Sequence, residues 1–199
     1  MGVKTSALIT DMNQPLGNMI GNSVEINEAI DVLRGVGPAD VTQVVLSLAS
    51  RLLVQSKIHI NLTDSKNKLH QLIESGKAYN KLAAMVESHG GDLHAERAVA
   101  KKTPLHLTQS GFVEKVHAQQ LGLAIIEMGG GRKQIGDPIN HSIGIEFLIR
   151  IGDQVEPDKP IANIFCDTSA SDHAAELVES SITLCSEPVD SPQLIVEAI

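Results

Sequence analysis

Ile9-Thr10-Asp11-Met12-Asn13-Gln14-Pro15-Leu16-Gly17 is the stretch whose reading decides the fold. It carries an apolar run into a polar turn: Val3 to Ile9 read as a buried strand, Asn13 to Gly17 as the turn, and Asn22 as the opening of a helix. In an open α/β sheet, ligands bind in the crevice at the carboxyl ends of the strands, which puts this turn on the ligand side. No earlier segment is present to pair with the strand, so the chain reads as one that starts in the middle of an α/β domain.

Outward from that turn the first half is helical. Asn22-Ser23-Val24-Glu25 has capping-box spacing, and Ile26, Ala29, Ile30 and Leu33 follow on one face until Gly35 stops the helix. Pro38 and Asp40 open a second helix with Val41, Val44, Val45, Leu48 and Leu52 in one apolar stripe. Thr63 and Asp64 start a third, with Leu69, Leu72 and Ile73 inward and Gly76 at its end. Leu82, Met85 and Val86 carry a fourth up to Gly90-Gly91. From about residue 101 the punctuation changes to closely spaced Gly and Pro between β-branched runs, the pattern of short strands. Phe112 to Val116, Ile143 to Ile149 and Ile161 to Phe165 read as strands. Leu121 to Met128 read as a helix between the first two, Ala174 to Ile182 as a last helix, and Leu194 to Val196 as a final short strand. Glu87 to Thr103 reads as a linker. The expected class is α/β, more narrowly α+β. Residues 1–100 form a partial α/β domain with one strand and several helices, and residues 101–199 form an α+β, barrel-like domain.

Composition narrows the function. Hydrophobic residues at 42% and charged residues at 20% belong to a globular chain. No apolar run reaches the roughly 18 residues that cross a bilayer, and the N-terminal residues lack a charged segment followed by an apolar core, so the expectation is a cytoplasmic protein without a membrane partner. A net charge of −8 with scattered basic residues, together with 2% aromatic content, argues against nucleic acid as a partner. Cys166 and Cys185 lie in apolar surroundings outside any CxxC pair and read as buried reduced thiols.

Eight histidines show neither HExxH nor CxxC spacing, which gives zinc no support, and Ser6, Ser23 and Ser47 stand outside any G-x-S-x-G elbow. Gly129-Gly130-Gly131-Arg132-Lys133 admits two readings: a helix C-cap with a flexible loop, or a mobile flap whose Arg132 orders on closure. Gly17-x-x-x-Gly21 is either a plain turn or a cation site, in which turn carbonyls and a carboxylate from Glu25 or Glu28 supply hard oxygen ligands. Gly111-Phe112-Val113 with Gly152-Asp153-Gln154-Val155 and Pro160-Ile161 resembles the hammerhead barrels of biotinyl and lipoyl carrier domains. The carrier's Met-Lys-Met or Asp-Lys-Ala motif is absent, and Lys133 is a poor substitute.

The run at Ile9 to Gly17, Gly21-Asn22-Ser23-Val24-Glu25, Ser75-Gly76-Lys77-Ala78, Gly111-Phe112-Val113 and Met128-Gly129-Gly130-Gly131-Arg132 together resemble thymidine phosphorylase and pyrimidine-nucleoside phosphorylase, over nearly the whole chain and in order. The resemblance is to the C-terminal portion of that family only. It implies a pentosyltransferase of nucleoside salvage, a homodimer that splits pyrimidine nucleosides with phosphate, reversibly, into free base and (deoxy)ribose 1-phosphate. The family's phosphate- and base-binding groups lie upstream of the Ile9 run, so no catalytic or substrate-binding residue is assigned, and the chain alone is expected to be an inactive truncated or split product. Base preference, thymidine or uridine, belongs to that upstream half. No organic cofactor is implied. A potassium ion is, mapping onto the carbonyls of Leu16 and Met19 and the carboxylate of Glu28, with Met19 standing where a small residue is more usual. The alternative, from another class, is a non-catalytic binding or biotinyl/lipoyl-like carrier module.

Overall fold

The computed structural model describes residues 2–167 and 170–199. The elements run β1 (Leu8–Thr10), β2 (Met19–Gly21), α1 (Ser23–Leu33), α2 (Ala39–Gln55), α3 (Leu62–Glu74), α4 (Lys77–Ser88), β3 (Lys102–His106), β4 (Gly111–Val116), α5 (Ala118–Met128), β5 (Gly144–Phe147), β6 (Gln154–Val155), β7 (Pro160–Phe165), α6 (Ser171–Ser180), β8 (Ile182–Cys185) and β9 (Ile195–Ala198). The class is α+β. Antiparallel sheets of two, four and three strands are present, and no closed barrel is formed among the described residues. Two compact units emerge, each drawn from distant segments: residues 1–10, 28–96 and 193–199 in the first, 11–27 and 97–192 in the second.

In the first unit β1 pairs with β9, Leu8 opposite Ala198 and Ile9 opposite Glu197. Reciprocal bonds between Ala7 and Ile199, 2.8 and 2.9 Å, extend the ladder. The buried strand expected from Val3 is not what forms. Residues 2–7 are exposed and only Leu8–Thr10 are strand, because a two-stranded ribbon has no further sheet against which to bury its faces. Helices α2 and α3 meet at serines. Ser50 and Ser65 are fully buried; the Ser65 hydroxyl donates to the Ser50 carbonyl and the Ser50 hydroxyl to the Ser47 carbonyl, each at 3.2 Å. Such small side chains let two helix backbones approach while their hydroxyls are satisfied locally. The apolar stripe of α2 is divided. Val44 is buried, and so is Leu46 from outside the stripe, while Val45, Leu48 and Leu52 are 42%, 51% and 65% exposed. Asn61 caps α3 by accepting from the Asp64 N–H at 2.9 Å, and Gly76, at φ 70°, turns the chain into α4.

The second unit holds a four-stranded sheet in the order β2-β5-β7-β3 and a three-stranded sheet in the order β6-β4-β8. Its core includes Val113, Leu121, Ile145, Phe147, Ile161 and Val178, none more than 1% exposed. Ile161 to Phe165 of β7 are buried throughout, the continuous apolar run of a central strand. The polar member of that run, Asn163, donates to Glu146 at 2.8 Å, and Lys102 donates to the same carboxylate at 2.7 Å. Strands β4, β5 and β7 and helices α5 and α6 stand where the periodicity puts them. β3 begins in the last two residues of the stretch read as a linker and runs on to His106. Its Pro104 is tolerated because β3 is an edge strand, where a missing N–H costs no ladder bond. Cys166 is buried as expected, whereas Cys185 is only half-buried, its thiol lying 3.1 Å from the Glu187 carbonyl; neither is in a disulfide.

Candidate functional site

The Asp11 to Gly17 turn is built locally and then clamped from a distance. The Asp11 carboxylate accepts from the Asn13 backbone N–H at 3.1 Å and from its side-chain amide at 2.6 Å, which closes an Asx turn. The Arg150 guanidinium then donates to the Gly17 carbonyl, to Asn18 Oδ1 at 2.8 Å and to its neighbour's carbonyl at Ile149 at 3.0 Å. Gln14 Oε1 accepts from the Ile151 N–H at 2.9 Å, and the Asn18 carbonyl accepts from the Phe147 N–H at 2.7 Å. Arg150 is itself placed by the turn after it: Asp153 accepts the Arg150 N–H at 2.7 Å, and Gly152, at φ 98°, has no room for a Cβ, which would stand 2.8 Å from the Val189 carbonyl. The Gly152-Asp153 pair thus supports the clamp on the turn.

The start of α1 is fastened in the same unit. Gly21, at φ 145°, leaves no space for a side chain, since a Cβ would lie 2.7 Å from the Ile143 carbonyl. Glu25 accepts from the Gly21 N–H at 2.7 Å, so the capping carboxylate reaches one residue further back than a capping box on Asn22 requires. The Asn22 side-chain amide donates to the Gly130 carbonyl at 2.8 Å, and the Ser23 N–H donates to the His141 carbonyl at 3.1 Å. Gly21, Asn22, Ser23, Glu25, Ile26, Arg97 and His141 line a cavity of about 340 Å³. Arg97 is oriented there by donating to Asn27 at 2.7 Å. A carboxylate, a guanidinium and an imidazole around one hollow suit a small polar ligand with both donors and acceptors. Sequence reasoning missed Arg97, His141 and Arg150, because their partners on the 14–27 segment lie some seventy or more residues away and no local motif marks them.

The glycine-rich loop is the C-cap of α5. Gly129 takes φ 94°, its N–H donates to the Ile126 carbonyl at 3.0 Å, and the Gly130 N–H donates to Ile125 at 2.9 Å. At Gly130 a Cβ would lie 2.8 Å from Ile125 Cγ2. Arg132 is exposed. Lys133 lies in the loop that follows α5, with its ammonium 2.6 Å from Glu127, a different setting from the hairpin tip that a carrier lysine occupies. The hydrogen bond from Lys133 holds the Glu127 carboxyl below the usual glutamate range, against a smaller opposing effect of desolvation. Asp137 accepts from the Lys133 and Gln134 N–H groups at 3.1 and 2.8 Å and closes the loop.

Of the three residues expected at a cation site, Leu16 and Met19 belong to the second unit and Glu28 to the part of α1 grouped with the first. Leu16 is 45% exposed in the turn. Met19 opens the edge strand β2 opposite Glu146. The bond from the Phe147 N–H to Asn18 makes the Met19 pair a non-hydrogen-bonded one, which turns the Met19 carbonyl out of the β5 ladder. Among the described residues no group of three or more His, Cys, Asp or Glu is arranged to hold a metal ion, and no helix is long and apolar enough to cross a membrane.

A family profile for the pyrimidine nucleoside phosphorylase C-terminal domain matches residues 112–185, the span from β4 to β8. A thymidine phosphorylase of Burkholderia lata is 36% identical over 207 residues, covering 100% of this chain and 47% of the relative. Pyrimidine-nucleoside phosphorylases of Staphylococcus aureus, from the bovine strain RF122 and from strain USA300, are 35% identical over 205 residues with the same coverage. The chain spans about half the length of the curated relatives it matches, and its residues 112–185 belong to the C-terminal domain family of the pyrimidine nucleoside phosphorylases.

Proposed function

We propose that these residues form the supporting half of a pentosyltransferase that splits thymidine or another pyrimidine nucleoside with phosphate, reversibly, into free base and a pentose 1-phosphate. The observation that carries this reading is the match of the entire chain to relatives named thymidine phosphorylase and pyrimidine-nucleoside phosphorylase. In this reading residues 1–100 are the later part of the family's α/β domain and 101–199 its C-terminal domain. The groups that bind phosphate and base come from outside these residues, and the working protein is a cytoplasmic homodimer serving nucleoside salvage. Its organising element is the turn that Arg150 clamps, since that turn sets the course of the chain into α1.

A potassium ion is the ligand that the resemblance to the family implies, with the carbonyls of Leu16 and Met19 and the carboxylate of Glu28 as its hard oxygen ligands. It has no part in bond breaking. The test is a phosphorolysis assay of the purified 199-residue chain with thymidine and phosphate, alone and together with the remaining part of the Burkholderia lata relative. No turnover by the chain alone and turnover by the mixture are expected. Turnover by the chain alone would overturn the placement of the reacting groups. For the ion, potassium is expected to raise the thermal midpoint of the active mixture, and equal stabilisation of wild type and Glu28→Ala would remove Glu28 from the site.

A further inference from the structure

The first unit contains a second hollow, of about 510 Å³, formed within that unit by the end of α1, the N-terminal half of α2 and one face of α3. Its size is that of a small-molecule site. The floor is apolar, with Val32 and Leu46 buried and Ile73 half-buried. One wall carries Lys66, His70 and Glu74, spaced a helical turn apart along α3, and the other carries Thr42, Gln43 and Ser47 of α2.

Ser47 distinguishes this hollow from an ordinary seam between helices. The residue is only 3% exposed, yet its hydroxyl has no hydrogen-bond partner among the described residues; only its carbonyl is engaged, by Ser50 and Arg51. No fully enclosed side-chain oxygen is left unbonded among those residues, so the Ser47 hydroxyl meets the space of the hollow that it lines. A hydroxyl that faces the hollow and has no partner in the protein can donate to a ligand atom placed there. The serine contact of the two helices sets the register: Ser65 bonds to Ser50, one turn from Ser47, so on the returning helix Ser47 comes level with the stretch between Lys66 and His70, which line the same hollow. Donors therefore gather at one end of the hollow, and the apolar floor leads away from them toward Gly35 and Gly37.

We infer that this hollow binds a small amphipathic anion, a carboxylate or phosphate monoester whose head lies between Ser47, Lys66 and His70 and whose apolar stem covers Leu46, Val32 and Ile73. The test is a titration of the isotope-labelled 199-residue chain, followed by its backbone amide resonances, with hexanoate, hexyl phosphate and hexanol. Saturable shifts at Val32, Leu46, Ser47 and Ile73 are expected with at least one anion, and the tighter of the two names the head group. Hexanol should bind about tenfold more weakly, and Ser47→Ala and Lys66→Gln should each weaken the anion by about tenfold, the loss expected for a hydrogen bond to a charged group. Both variants should keep the wild-type thermal midpoint, because Ser47 makes no side-chain bond and Lys66 is exposed. Hexanol binding as well as the anions, undiminished affinity in both variants, or no saturable shift with either anion would each overturn the inference.

Discussion

The two units use their apolar residues in opposite ways. The second closes a continuous core around Val113, Leu121, Ile145 and Phe147, with sheets and helices both contributing. The first buries little: α4 has no buried residue, the closest approach of α2 and α3 is made by serines, and Val45, Leu48, Leu52 and Ile60 stand exposed. Helical patterning of comparable quality in the sequence therefore yields a core in one place and an uncovered apolar face in the other. Amphipathicity states that a helix has an apolar side. It does not state what covers that side, and a helix gains stability only when the burial happens.

The contrast is most directly broken at Phe147. Phe147→Ala should destabilise the chain by about 3–5 kcal/mol in denaturant unfolding, whereas Leu48→Ala on the exposed face of α2 should cost less than about 1 kcal/mol. Similar losses for both would mean that the α2 face is covered in solution.

Arg150→Ala comes next. Removing a guanidinium that bonds to Gly17, Asn18 and Ile149 should cost about 2–3 kcal/mol, and Arg150→Lys should recover little, since an ammonium cannot reproduce the planar fork. Amide exchange localised to residues 14–18 would report the loosened turn, and full rescue by lysine would show that charge alone suffices.

Two glycines of the α5 region sharpen the comparison within the second unit. Gly130→Ala places a Cβ 2.8 Å from Ile125 and 3.1 Å from Ile143 and should cost about 1–3 kcal/mol. Gly122→Ala meets nothing within 4 Å in the helix interior and should stabilise by about 0.5–1 kcal/mol. Thermal midpoints that move in the same direction would contradict the packing assigned to the loop.

The smallest effect concerns pH. Glu127 has its folded value lowered by Lys133, so the stability of that pair is present above the ordinary glutamate range and is lost as pH falls through the lowered value. The pair is exposed, and only a slight shift in thermal midpoint is expected between about pH 6 and about pH 3. Lys133→Met should remove that increment, and an unchanged pH dependence would show that the pair contributes nothing.

Much of this was legible in the sequence wherever a local rule applies. The glycine at 129 ends α5, and the runs at 111–116 and 160–165 form strands, because caps, left-handed turns and central-strand runs depend on residues within a few positions of one another. The resemblance to the phosphorylases was likewise legible, since it rests on ordered short motifs. Where the local pattern is weak, the reading failed: β3 hid behind Pro104, which an edge position permits, β2 and β6 are too short to show periodicity, and Ile182, which opens β8, reads in the sequence as the end of the helix that stops at Ser180.

What the sequence by itself determined was therefore the α+β class, the main helices and strands, and the family. The tertiary structure alone decided that Val3 to Ile9 are not a buried strand, that β9 pairs with β1, and that Arg150 clamps the Pro15-Leu16-Gly17 turn. It alone placed Arg97 and His141 beside Glu25, and Lys66 and His70 around the same hollow as Ser47. The physical reason is distance along the chain: these contacts join residues whose neighbours in sequence carry no sign of the partner, and their energy exists only once both sides are already folded.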